Sequence, residues 1–292
     1  MLENSAGKRF RKLLQTEHPL QIVGTINALC AMQAEQAGFQ AIYLSGAGVA
    51  NASHGLPDLG ITSMNDVFDD AARIMAACSL PLLVDIDTGW GTELTIQRTV
   101  RTLERMGVAA VHMEDQVAAK RCGHRPGKEL VDTKEMQARV EAASSSRDDS
   151  SFIIMARTDA VAVEGIDSAI QRAKDYVSAG ADMIFAEAVE TLEDFRRISE
   201  AVKVPVLANL TEFGRTPYFT LQQLHSAGVQ MALYPLTAFR AMNAAAKTTY
   251  ETIRKTGSQE SILNTLQTRD ELYRILNYLT EEKRVDQQRL KK

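Results

Sequence analysis

The chain has 292 residues, 45% of them hydrophobic and 24% charged, with a formal net charge of −4. That size and balance fit one large α/β barrel or two small domains and exclude a small disulfide-stapled scaffold. The slight negative charge offers no basis for nucleic-acid binding across the molecule, and no apolar run approaches membrane-spanning length.

The first fourteen residues carry Lys8, Arg9, Arg11 and Lys12 without an apolar stretch, so they are no secretory signal, and Glu3 speaks against an organelle peptide. Three widely spaced cysteines, Cys30, Cys78 and Cys122, fit a reducing cytoplasm better than a disulfide framework.

Short runs rich in Val, Ile, Leu and Met predict strands at 21–26, 41–45, 82–87, 109–114, 152–158, 183–187, 204–209 and 231–234. Near-continuous apolar runs of this length are what a strand covered on both faces requires. Helical periodicity fills the gaps, as in Ile96, Val100, Leu103 and Met106. Ser63, Thr133, Thr191 and Thr220 stand at helix starts, where a hydroxyl accepts a bond from a free N–H. Gly38, Gly107, Gly180 and Gly228 each close a helix before the next strand. Eight such units predict a (β/α)8 TIM-type barrel over 1–240, with an open doubly wound sheet as the alternative. The polar stretch 144–151 belongs on the bottom face. The mainly helical remainder, 241–292, reads as a C-terminal extension, with a charged tail from 284 expected to fray.

In a parallel barrel all strands point their C-terminal ends at one mouth. Those ends bring Tyr43, Ser45, Asp85, Asp87, Glu114, Arg157, Asp159, Glu187, Asn209, Thr211 and Tyr234 to one rim. Asp85-Ile86-Asp87 puts both carboxylates on one face of a strand, because side chains alternate with period two. Asp58 lies in the loop after the second strand. Converging carboxylates repel unless a cation neutralises them, and an all-oxygen set favours Mg²⁺ or Mn²⁺ over zinc. Arg157 at the end of an apolar strand needs an anion, either a substrate carboxylate or Glu187 or Asp159. Just past Glu114 comes Lys120-Arg121-Cys122-Gly123-His124, whose cationic side chains favour a thiolate and suit Cys122 to proton transfer near neutral pH. Cys30 and Cys78 fall on helix faces and read as core.

With Tyr43-Leu44-Ser45-Gly46, Gly55-Leu56-Pro57-Asp58, Asp85-Ile86-Asp87, Glu114-Asp115-Gln116, Ala156-Arg157-Thr158-Asp159-Ala160, Asn209-Leu210-Thr211-Glu212-Phe213 and Tyr234-Pro235, the chain resembles the isocitrate lyase/phosphoenolpyruvate mutase superfamily from about 21 to 278. The Lys-Arg-Cys-Gly-His string points to the lyase branch acting on 2-methylisocitrate. Ala47 departs from the glycine that close relatives often carry.

The resemblance implies a Mg²⁺-dependent carbon–carbon lyase of the methylcitrate cycle, in propionate catabolism, that releases pyruvate and succinate from a tricarboxylate. The alternatives are isocitrate cleavage to glyoxylate and succinate, or an oxaloacetate or phosphonate lyase. It implies Asp85 and Asp87 as metal ligands, with Asp58 and Glu114 acting through water. Cys122 would be the acid within a catalytic set that includes Lys120, Arg121 and His124, and Tyr43 would be a candidate base. Ser45, Gly46, Ala47, Gly123, Arg157, Glu187, Asn209, Leu210, Thr211, Arg240 and Arg269 would contact substrate. Phe185, Leu233 and Pro235 are placed to shape a methyl pocket. The loop 116–128 would act as a lid. A cytoplasmic homotetramer that exchanges C-terminal helices, with no nucleic-acid or membrane partner, is the implied assembly.

Overall fold

The computed structural model describes residues 4–290; Glu3 and the last two residues of the charged tail lie outside them. Eight strands among the described residues pair in parallel in chain order: β1 (Leu20–Gly24), β2 (Ala41–Leu44), β3 (Leu82–Asp85), β4 (Ala110–Glu114), β5 (Ile153–Thr158), β6 (Met183–Ala186), β7 (Val206–Asn209) and β8 (Met231–Tyr234). Leu20 of β1 pairs with Met231 of β8, which closes the barrel and removes the open-sheet alternative.

Helix α1 (Ala6–Leu13) precedes the barrel and α2 (Ala28–Gln36) follows β1. A single helical turn, α3 (Gly46–Gly48), leads from β2 towards α4 (Met64–Ala77). Then α5 (Glu93–Arg105), α6 (Thr133–Ser146), α7 (Ile166–Ser178), α8 (Leu192–Val202) and α9 (Leu221–Ser226) follow the next five strands in turn. After β8 comes α10 (Thr237–Thr256), and α11 (Arg269–Ile275) and α12 (Tyr278–Arg289) complete the chain.

Strands β2 to β7 are buried on both faces, and their side chains alternate between two apolar layers. Ile22, Tyr43, Leu83, Met155, Leu207 and Leu233 fill the barrel interior. Ile42, Leu44, Val84, Val111, Ile154 and Ala208 pack outward under the helices. This double burial is the physical source of the unbroken apolar runs in the sequence.

The four glycine stops, Gly38, Gly107, Gly180 and Gly228, all adopt positive φ. Thr191 and Thr220 cap α8 and α9 through their hydroxyls, and Asp66 bonds back to the Ser63 N–H at the start of α4. Thr133 is not a cap: Asp132 accepts from the Glu135 N–H at 2.8 Å, and a carboxylate there also meets the positive end of the helix.

The basic N-terminal segment closes the barrel floor. Phe10 of α1 is fully buried among the interior residues at the strand starts. Arg9 donates to the Ser79 carbonyl at 2.6 Å, Arg11 to that of Ser151 at 3.0 Å, and Arg11 also pairs with Asp182 at 2.8 Å. Gly7 lies so close to the Ser151 backbone that no Cβ fits between them. The polar stretch 144–151 is therefore at the bottom face, with its first residues completing α6.

The chain divides into two compact units, one ending at Phe239 and the other beginning at Arg240. In the second, no helix buries a side chain, and Tyr250, Ile253, Leu276, Leu279 and Val285 are exposed. Where fraying was expected from 284, α12 continues to Arg289, with Arg284 and Arg289 each near an acid three residues earlier. Among the described residues no helix is long and apolar enough to cross a membrane.

Candidate active site

At the C-terminal ends of β2, β3 and β4 lies a buried acidic floor. Asp85 accepts from the Gly46 N–H at 3.0 Å and from the Asp87 N–H at 3.0 Å. The alternation expected across Asp85-Ile86-Asp87 does not hold, because β3 ends at Asp85 and Asp87 takes positive φ. The two carboxylates converge through a turn closed by the Asp85 side chain, as short Asx side chains allow. A Cβ on Gly46 would come within 2.8 Å of Asp87 and 3.1 Å of Asp85, so glycine lets the backbone itself approach the acids.

Lys120 reaches down from the loop after β4 and forms ion pairs with Asp58, at 2.8 Å, and with Asp87. Burial works to discharge this lysine, but the surrounding acids, led by Asp87 and Glu114, hold its ammonium well above the ordinary lysine range. The acids do not share one state. Burial raises Asp87 to about 6 and pushes Glu114 well above the usual carboxylate range. Asp85 is equally buried, yet the positive charge around it outweighs burial and holds it near 2.

Tyr43 and His112 lie beside these acids. The Tyr43 hydroxyl lies 2.9 Å from His112 Nε2 and 3.4 Å from Asp85. Burial pushes the Tyr43 phenol well up and His112 down to about 4, so both are neutral near pH 7.

On the opposite side Arg157, from the end of β5, donates to Asp159 at 2.9 and 3.2 Å and lies 3.3 Å from Glu114 and 3.5 Å from Glu187. Its guanidinium stands 5.0 Å over the Phe185 ring. Glu187 gathers His124 at 2.6 Å and the Asn209 amide at 3.2 Å. Burial opposes its charge, but Arg157 and His124 hold it well below the usual carboxylate range. Asn209, expected to offer donors to substrate, lies at the end of β7 and lines the cleft. Its N–H groups face Glu187 and its Oδ1 is left without a hydrogen bond.

The cysteine loop covers the space between these walls. Cys122 is exposed, and Gly123 packs against Arg157 and Glu187 with no room for a Cβ. His124 Nδ1 accepts from the Arg215 N–H at 3.0 Å, which leaves the proton on Nε2 facing Glu187.

The resulting cleft is lined by Tyr43, Ser45, Ala47, Asp58, Asp85 and Lys120, and by Arg121, Cys122, Gly123 and His124. Arg157, Phe185, Glu187, Asn209, Thr211, Pro235 and Leu236 complete it. Gly46, Asp87 and Glu114 touch the lining residues from just behind. Leu210 buries its side chain in the outer layer, and its N–H bonds the Leu233 carbonyl. Leu233 sits deeper, in the barrel interior. Arg240 lies in α10 and Arg269 opens α11, both in the second unit.

Sequence reasoning overlooked His112, Gln116 and Lys128 as site residues. His112 hides in the apolar run of β4, and Lys128 follows Pro126-Gly127 like any surface lysine; only Gln116, beside two acids, carried a local signal.

The donor chemistry fits a hard cation. The acids offer oxygen only: Asp87 Oδ1 faces the Lys120 ammonium and Glu114 Oε2 lies 3.3 Å from the Arg157 guanidinium. Among the described residues no three His, Cys, Asp or Glu side chains are gathered closely enough to hold an ion as they stand, and the Lys120 ammonium supplies the compensating charge.

Residues 10–254 match the family model described as phosphoenolpyruvate phosphomutase. A 2-methylisocitrate lyase of Shewanella oneidensis is 58% identical over 98% of this chain and 98% of its own. Among solved structures, a 2,3-dimethylmalate lyase of the PEP mutase/isocitrate lyase superfamily superposes with a TM-score of 0.89 at 34% identity, covering 98% of this chain and 95% of that one. A phosphonopyruvate hydrolase solved with oxalate and Mg²⁺ gives 0.85 at 28%, covering 99% of this chain and all of the other.

Proposed function

The chain belongs to the phosphoenolpyruvate mutase/isocitrate lyase superfamily, and from that membership we propose that it cleaves 2-methylisocitrate to pyruvate and succinate. The observation that carries this reading is the 58% identity to a 2-methylisocitrate lyase along nearly the whole of both chains. The reaction is the Mg²⁺-dependent lyase step of the methylcitrate cycle, in propionate catabolism. Mn²⁺ would substitute for Mg²⁺.

Asp85 and Asp87 would hold the ion, with Asp58 and Glu114 acting through water. When bound, it lowers the pKa of the substrate hydroxyl and steadies the carbonyl that forms. The chain's own groups do the rest. The substrate hydroxyl loses its proton, with Tyr43, itself neutral, the candidate to relay it onward. The C–C bond breaks, its electron pair moves onto the succinate half as an aci-carboxylate, and the hydroxyl oxygen becomes the pyruvate carbonyl. Cys122 delivers a proton to the carbon that received the pair. Arg157, Thr211 and the backbone at Ser45, Gly46, Ala47 and Gly123 orient the substrate carboxylates, with Glu187 and Asn209 fixing Arg157 and His124. Lys120, Arg121 and His124 carry positive charge or donors to the leaving halves. Arg240 and Arg269 are assigned to the carboxylates as well. Phe185 and Pro235, both lining the cleft, would meet the extra methyl. The loop 116–128 closes over the carbanion and excludes water.

The assembly is a cytoplasmic homotetramer, in which the exposed apolar side chains of the C-terminal helices pack on partner copies. No nucleic-acid or membrane partner is part of this reading.

Purified protein with Mg²⁺ is expected to release pyruvate rapidly from 2-methylisocitrate, to stop when EDTA is added, and to turn isocitrate over weakly. Preferential glyoxylate release from isocitrate would overturn the substrate, and an EDTA-insensitive rate would overturn the metal.

A further inference from the structure

Cys122 is an exposed residue in a loop without regular structure, yet proton delivery demands a fixed position. The residues on either side of it are each tied down by a buried side chain. Upstream, Gln116 donates to the Arg121 carbonyl at 2.8 Å and accepts from the Arg121 N–H at 3.0 Å. A third bond, to Glu114 at 2.9 Å, fixes the glutamine itself. Downstream, the Lys128 ammonium donates to the Gly123 carbonyl and to Asp159 at 2.7 Å. Asp159 is fully buried, bonds Arg157 twice and accepts nothing from solvent. Lys128 is 6% exposed, a rare state for lysine that needs a carboxylate partner.

We propose that Lys128 is a positioning residue that latches the Cys122 segment over the cleft, with Gln116 securing the other end of the same segment. The inference rests on Cys122 being the acid of the proposed cleavage. A single ammonium bridges the loop carbonyl to the carboxylate that also orients Arg157, so loop closure and the substrate-facing guanidinium share one anchor. Removing the lysine leaves Asp159 paired with Arg157, so the main loss is the latch rather than an orphaned buried charge.

The test compares wild type with Lys128→Met, Lys128→Arg and Gln116→Ala. Small displacements of a reacting group cost about 100-fold, so Lys128→Met is expected to lower kcat by about that factor while KM changes by about threefold or less. Lys128→Arg should recover part of the rate. Alkylation of Cys122 by iodoacetamide, followed by peptide mapping, supplies a second readout. Mg²⁺ with succinate and pyruvate should slow it in wild type and not in Lys128→Met. Wild-type kcat and wild-type protection in Lys128→Met would overturn the latch, as would a raised KM at unchanged kcat. If Lys128→Met does not fold, Gln116→Ala carries the same two readouts. A wild type that releases no pyruvate sinks the functional reading instead, and is distinguished because the latch is scored only against an active wild type.

Discussion

The two ends of the barrel are built from the same eight strands and obey opposite rules. At the floor, Phe10 plugs an apolar interior and the arginines of α1 bond the backbone of nearby loops. At the mouth, carboxylates, an ammonium and a guanidinium are buried together. The floor is satisfied as it stands. The mouth crowds acids together and offsets them with a buried ammonium and guanidinium, which is the usual mark of a site where stability has been given up for chemistry.

The sharpest way to separate the ends is Cys122→Ser. Loss of a positioned proton donor is expected to lower kcat by about 10²–10⁴-fold, with a melting temperature close to wild type. Pyruvate release and calorimetry on one preparation check both halves. Phe10→Ala should do the reverse, destabilising the fold by about 3–5 kcal/mol in urea unfolding while leaving kcat within about twofold. A large fall in kcat with little loss of stability would break the contrast.

A smaller effect follows from Asp87. Its value of about 6 lies above the ordinary carboxylate value, so its proton favours the fold below about pH 4 and that contribution fades as pH rises through about 6. A cation competes with that proton. At about 100 times its dissociation constant Mg²⁺ should raise the melting temperature by roughly 5 °C near pH 7.5, and by clearly less near pH 5. Differential scanning calorimetry in Asp85→Asn should show the shift abolished. Smallest of all, Arg9→Ala removes one charged bond at the floor and is expected to cost about 1 kcal/mol without touching KM.

The same division governs what could be read from the sequence. Strands β2 to β8 announce themselves because burial on both faces forces continuous apolar runs, and the glycine stops mark where helices must reverse. The acids at the strand ends were legible for the converse reason: charge at the edge of an apolar run needs a purpose. The turn at Asp87 was not legible, since it depends on a side chain bonding its own backbone. The plug formed by α1 was hidden because its contacts are with residues such as Ser79 and Ser151, far along the chain. Lys128 is ordinary in sequence, and its pairing with Asp159 forms only when β5 and the cysteine loop meet.

Closure of the ring has a consequence for how the chain is made. β1 leaves the ribosome before the other strands of the barrel, and its second neighbour, β8, leaves after them. Until Met231 pairs with Leu20, one side of β1 is an open edge of apolar residues beside an unplugged interior. Loop-closure entropy for so distant a pairing makes it a late event. The nascent protein therefore spends its synthesis with an exposed strand edge, and chains truncated before β8 should aggregate rather than fold.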